Sequence, residues 1–154
     1  MTPGEFWSET VPLTALQEAV ARNPESAELR AELGHALLSD GRNDEALVEF
    51  QTAIRLADPA DSRQLGHLHL FVGEVLAARG DRDAAIAAFE AALHHRPGHV
   101  TAHWMLGVLL NARGERAAAR GHWRQVIEAH ESGEVPELYQ VTEARRLLEE
   151  HPED

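Results

Sequence analysis

The 154-residue sequence predicts an all-α protein made of repeated helical hairpins, and three observations carry that expectation. Alanine, the best helix former, recurs in runs such as Asp83-Ala84-Ala85-Ile86-Ala87-Ala88 and Ala117-Ala118-Ala119. Aromatic residues make up only 5% of the chain. Three segments align on a glycine: Leu33-Gly34-His35-Ala36-Leu37, Val72-Gly73-Glu74-Val75-Leu76 and Leu106-Gly107-Val108-Leu109-Leu110. Each has a second glycine seven residues on, at Gly41, Gly80 and Gly114. The anchors lie 39 and then 34 residues apart, so five extra residues separate the first pair. Self-similarity at such a period sets the architecture.

The elements follow in order. Leu13, Leu16, Ala19 and Pro24 fit the second half of a unit in the same register, which predicts an unpaired N-terminal helix over 11–22. Three full units then run over 27–60, 66–99 and 100–133. Within them Ala46, Ala85 and Ala119 are followed by Phe50, Phe89 and Trp123, then by Ala53, Ala92 and Val126. Offsets of four and three residues line one helical face, so these side chains are expected in the core. The glycine pair marks a close helix contact and then a turn, making each unit a hairpin. The five extra residues fall within 56–64, where Asp61 with Gln64 suits a capping box and a lengthened helix start. Beyond Gly133, Leu138, Val141, Leu147 and Leu148 form an apolar stripe opposite Glu143, Glu149 and Glu150, predicting a capping helix over 135–150.

Composition narrows the function. The chain is 44% hydrophobic and 26% charged, in line with one folded domain over 1–154. Fourteen arginines oppose 26 carboxylates for a net charge of −12, which disfavours nucleic acid and anionic membrane surfaces as partners. There is no lysine and no cysteine, so Schiff-base chemistry, thiol nucleophiles, disulfides and thiolate metal sites are excluded. Met1 to Leu16 resembles neither a signal peptide nor a membrane span, making a cytoplasmic location the default expectation. Abundant arginine and alanine without lysine points to a GC-rich bacterial genome.

The recurring unit resembles the tetratricopeptide repeat, with its large residue, Leu-Gly, Ala, aromatic, Ala and closing proline, here Pro97 in the second unit. Departures are Asp58 beside Pro59 and Glu131 at the closing positions, and Arg30, His69 and His103 where the family carries an early tryptophan. The resemblance implies an α-α superhelix of three hairpins between an N-terminal helix and a C-terminal cap. It also implies a non-catalytic adaptor or scaffold whose concave groove takes a peptide or helix of a partner.

Projecting each first helix at 100° per residue puts Glu28, His35 and Leu38 of the first unit on the groove side. The second unit contributes His67, Leu70 and Glu74, and the third Trp104, Val108 and Asn111. The lysine and asparagine clamp by which one subclass holds a terminal carboxylate is missing, since those positions are Ala31, Leu70 and Trp104 with His35, Glu74 and Val108. What remains is apolar at the C-terminal end, and acidic with imidazole at the N-terminal end, suiting an apolar or basic segment. Trp104 and Leu70 are the expected anchors, each contributing roughly 1.5–3 kcal/mol if buried by a partner. The competing expectation is that such side chains pack internally or beneath the terminal helix.

Two further readings stand beside the adaptor. One is a small acidic chaperone, similar to bacterial secretion chaperones, shielding an apolar client segment. The other is a metal-binding module, since His95, His99 and His103 surround the Pro97-Gly98 turn and His99 and His103 lie one helical turn apart. Neither a completed ligand set nor a catalytic constellation is visible, so no metal, no cofactor and no enzymatic activity are expected. Homo-oligomerisation is left open by exposed repeat ends, with Phe6 and Trp7 read as a cap or a contact.

Overall fold

The computed structural model describes residues 11–150 and residue 152; Phe6 and Trp7 lie outside the described residues. These residues form eight α-helices and no strand, the all-α helical repeat that the sequence predicts. They fall into two compact units, one ending at Ala57 and one beginning at Asp58.

The first unit holds α1 (Leu13–Arg22), α2 (Ala27–Ser39) and α3 (Asn43–Leu56). Ser26 caps α2 by accepting the Leu29 N–H at 3.2 Å. Arg30 crosses from α2 to Glu49 of α3 at 3.0 Å and donates through Nε to Pro24 O at 3.1 Å. The guanidinium thereby takes a polar role at a position where the family packs a ring.

The second unit holds α4 (Ser62–Arg79), α5 (Arg82–His95), α6 (Val100–Ala112), α7 (Arg116–Glu131) and α8 (Tyr139–Glu150). Helix α4 has 18 residues where α2 and α6 have 13, so the five-residue insertion is absorbed as extra helix at its start. Asp61 caps that start by accepting the Gln64 N–H at 2.9 Å. Helix α5 packs on α4 and on α6, and α8 packs chiefly on α7 and touches α6. The last helix begins at Tyr139 rather than at residue 135. Pro136 disfavours helical backbone at the residue before it, which keeps residue 135 out of the helix.

Every hairpin closes in the same way. The chain turns through a left-handed glycine, φ +76° at Gly41, +84° at Gly80 and +90° at Gly114. In the middle hairpin Gly80 N–H bonds Ala77 O and Asp81 N–H bonds Leu76 O, satisfying carbonyls that the helix end leaves free. The other glycine of each pair lets an aromatic ring of the second helix lie against the backbone of the first. Phe50 sits on Gly34, Phe89 on Gly73 and Trp123 on Gly107, all at 1% exposure or less. Their neighbours Ala46, Ala53, Ala85, Ala92, Ala119 and Val126 have no exposed surface. In the second unit this core continues into Val141 and Ala144 of α8, whose outer face carries the Glu143–Arg146–Glu150 pairs.

Candidate functional site

The first unit places its three predicted groove residues differently. Glu28 is exposed and accepts a hydrogen bond from Ser26 Oγ at 3.3 Å. Leu38 is half-buried. His35 lines a cleft of about 550 Å³ together with Val11, Pro12, Leu13 and Leu16 on one wall and Glu32 and Asp40 on the other. Its ring meets Phe50 edge-on at 5.1 Å, and burial lowers its pKa against the opposing pull of Glu32.

In the second unit Leu70 needs correction as an anchor. It is only 6% exposed and belongs to the core cluster that joins α4, α5 and α6, so a partner has little of it left to bury. Trp104 is half-buried, packed against that cluster, with its ring edge-on to Tyr139 at 6.4 Å and 74°. Val108 is 38% exposed, Asn111 half-buried and Tyr139 71% exposed. Tyr139 is absent from the sequence-derived set. It lies 34 residues beyond Met105, so carrying the repeat register into the capping helix would have found it. Glu74 is half-buried without an ion-pair or hydrogen-bond partner among the described residues, and burial pushes its carboxyl up from the usual carboxylate range.

The histidines are engaged with one another and with the backbone. His103, 8% exposed, bonds Pro97 O through Nε2 at 2.7 Å and His122 Nδ1 through Nδ1 at 2.9 Å. His67 bonds Arg96 and meets His99 edge-on at 5.9 Å, while His69 stacks on His95 at 5.6 Å. Burial lowers the pKa of His67, His69, His99, His103 and His122. Among the described residues no group of three or more histidines and carboxylates is disposed to hold a metal ion. No described helix is long and apolar enough to cross a membrane.

The tetratricopeptide repeat family model matches residues 13–62 and 73–136, well over half of the chain. The chain belongs to the tetratricopeptide repeat family. Solved structures of tetratricopeptide-like proteins agree. A MamA protein is 25% identical with a TM-score of 0.69, over 82% of this chain and 66% of that one. YrrB, described as a TPR protein with an unusual peptide-binding site, is 22% identical with a TM-score of 0.69, over 87% and 64%. The Cut9–Hcn1 hetero-tetramer of the APC/C is 18% identical with a TM-score of 0.74, over 88% of this chain and 26% of that one. The tetratricopeptide chain thus spans just under two thirds of the MamA and YrrB structures. No curated protein matches it significantly.

Tetratricopeptide repeat proteins are interaction modules and generally carry no catalytic machinery. Here Arg113 and Arg120, both on the last repeat, serve local structure. Arg113 pairs with Asp83 at 3.0 Å and with Glu115, and Arg120 donates to Leu148 O at 3.2 Å.

Proposed function

We propose that the second unit is the capture surface of a non-catalytic adaptor, binding a partner segment that is apolar along one face and carries a basic residue. The observation that carries this reading is the pairing of exposed apolar side chains with a desolvated carboxylate that has no described partner. Trp104, Val108 and Tyr139 offer the apolar contact, and Glu74 occupies on α4 the repeat position that Val108 occupies on α6. A carboxylate left half-buried without a cation raises the energy of the free protein, and an arginine or lysine from a partner offsets that. Asn111 supplies an amide on the same face of α6. Glu28, His35 and Leu38 of the first unit are proposed as a further contact of the same chemistry, with the apolar wall from Val11 to Leu16 facing Glu32 and Asp40. Peptide binding by YrrB is consistent with such a role.

Loss of a Trp104 contact is worth roughly 1.5–3 kcal/mol, which is about tenfold to a hundredfold in affinity. The test is fluorescence anisotropy with a labelled amphipathic helix bearing leucines on one face and arginines on the other. Wild-type protein should bind it, and Trp104→Ala with Glu74→Arg should lose at least tenfold at a temperature where its far-UV spectrum is that of the wild type, the melting point itself falling because Trp104 also packs on the core. Equal affinity of the two proteins rejects this surface.

A further inference from the structure

We propose that the start of α4 and the turn between α5 and α6 form a separate cationic site, built from Arg63, His67, Arg96 and His99, that takes the carboxylates of an acidic peptide segment of a partner protein. It uses none of the apolar contacts of Trp104 and Val108, and none of the positions where the carboxylate clamp of the family's subclass sits.

The site is built where the repeat breaks its own pattern. At the first position of the three units stand Ala27, Gly66 and Val100, and at the end of the second helices stand Ala57, Arg96 and His130. Only the middle unit pairs a glycine with an arginine. The aliphatic stem of Arg96 lies on Gly66 so closely that a Cβ there would come within 2.8 Å of its Cγ and Cδ. A mid-helix glycine costs about 1 kcal/mol relative to alanine, so seating this arginine is a use of stability rather than a source of it. The extra helix at the start of α4 adds Arg63 one turn ahead of His67.

Among the described residues the arginines meet no carboxylate. Arg96 Nη1 donates to His67 Nε2, which holds that ring neutral, and neither Arg96 nor Arg63 has an ion pair among the described residues. His99 Nδ1 is shielded from solvent without a hydrogen-bond partner. The acids on the loop that enters α4 are turned to the backbone, Asp58 accepting Ala60 N–H and Asp61 accepting Gln64 N–H, both at 2.9 Å. Glu134 reaches Gly98 but pairs with neither arginine. The fixed charges that act on the two rings are positive: Arg96 and Arg63 on His67, and Arg96 on His99. In a chain of net charge −12 this is a concentrated positive patch, and a partner carboxylate relieves the repulsion within it. The same overall charge disfavours a nucleic-acid backbone as the occupant.

The probe is fluorescein-labelled hexaglutamate, titrated by anisotropy against the full chain at low salt. Saturable binding is expected, weakened about tenfold in Arg96→Gln by loss of a charge-assisted hydrogen bond and unchanged in Trp104→Ala. If Arg96→Gln fails to fold by circular dichroism, Arg63→Gln, exposed and free of described bonds, carries the comparison. The proposal is overturned if wild type shows no saturable binding, or if the arginine variants bind as wild type does. It is equally overturned if Trp104→Ala rather than Arg96→Gln removes binding, or if inorganic phosphate displaces the peptide at the concentration at which unlabelled peptide does. An Arg96-dependent dimer in sedimentation velocity assigns the patch to a second copy and also overturns it.

Discussion

Adding one methyl group at Gly107 should destabilise the protein, whereas adding the same group at Gly121, in the partner helix of the same hairpin, should stabilise it. In an ordinary exposed helix, glycine to alanine gains about 1 kcal/mol. Gly121 meets that description, because a Cβ there has no heavy atom within 4 Å. At Gly107 the new Cβ would lie 2.5 Å from Trp123 Cδ1, with Nε1 of the same ring also in collision. Trp123 is 1% exposed and backed by Ala119 and Val126, so the ring cannot swing into solvent, and overpacking of a closed core costs typically 1–3 kcal/mol. Gly107→Ala should therefore lose about 1–2 kcal/mol net and Gly121→Ala gain about 1, a separation of about 2–3 kcal/mol between identical substitutions. Urea unfolding followed at 222 nm measures both. Gly34 and Gly73, where a Cβ would approach Phe50 and Phe89 to 2.8 Å, should suffer less than Gly107. In a Trp123→Phe background the Gly107→Ala penalty should shrink toward theirs. A Gly107→Ala protein as stable as wild type would refute the view that these glycines exist to admit a ring.

Two other outcomes follow from the packing. Acidification should destabilise the second unit: neutral His103 donates through Nε2 to Pro97 O and accepts the His122 Nδ1–H, an arrangement that a second proton on His103 breaks. The pKa of both rings is depressed by burial, so the unfolded chain takes up protons first. Stability should be full above about pH 7 and fall as the pH drops toward the folded values, with no further loss from this pair below them. His103→Gln should flatten the dependence of the urea midpoint on pH, and equal midpoints at pH 7.5 and 5.5 in wild type would contradict the scheme. Arg30→Ala should cost about 1–3 kcal/mol because it strands the half-buried Glu49 carboxylate, and Arg30→Ala with Glu49→Leu should recover part of that. A single variant as stable as wild type in chemical unfolding would show the pair to be idle.

The stacking was legible because the same few residues repeat. Leu-Gly in the first helix and Ala, aromatic, Ala in the second encode a ring seated on a backbone, and that contact recurs at Gly34, Gly73 and Gly107. Burial depth was less legible. A projection of 100° per residue separates the faces of α4 but says nothing of how closely α5 and α6 shut over one of them, which is why Leu70 reads as surface and lies in the core. The start of α8 slipped because an apolar stripe fixes which face a helix buries and not the residue at which the helix begins, and Pro136 rules out only residue 135. Arg96 was invisible as a site residue: its role depends on the absent side chain of Gly66, a contact between residues 30 positions apart that no spacing rule announces.

Repetition also supplies the measure by which departures acquire meaning. A position that differs between units but still fills the same space needs no functional account; His103 replaces a large ring and is buried as one. The middle unit departs in another way. Its first helix is longer by five residues, it places glycine where the other units have Ala27 and Val100, and it sets Arg96 on that glycine without a described counter-charge. Each change alone weakens a stack of hairpins: glycine loosens a helix, an unpaired half-buried arginine carries a desolvation cost, and Arg63 adds like charge beside it. Together the three cost a stack of hairpins stability, and what they share is positive charge without a described counter-charge, the chemistry that the proposed capture of a carboxylate uses.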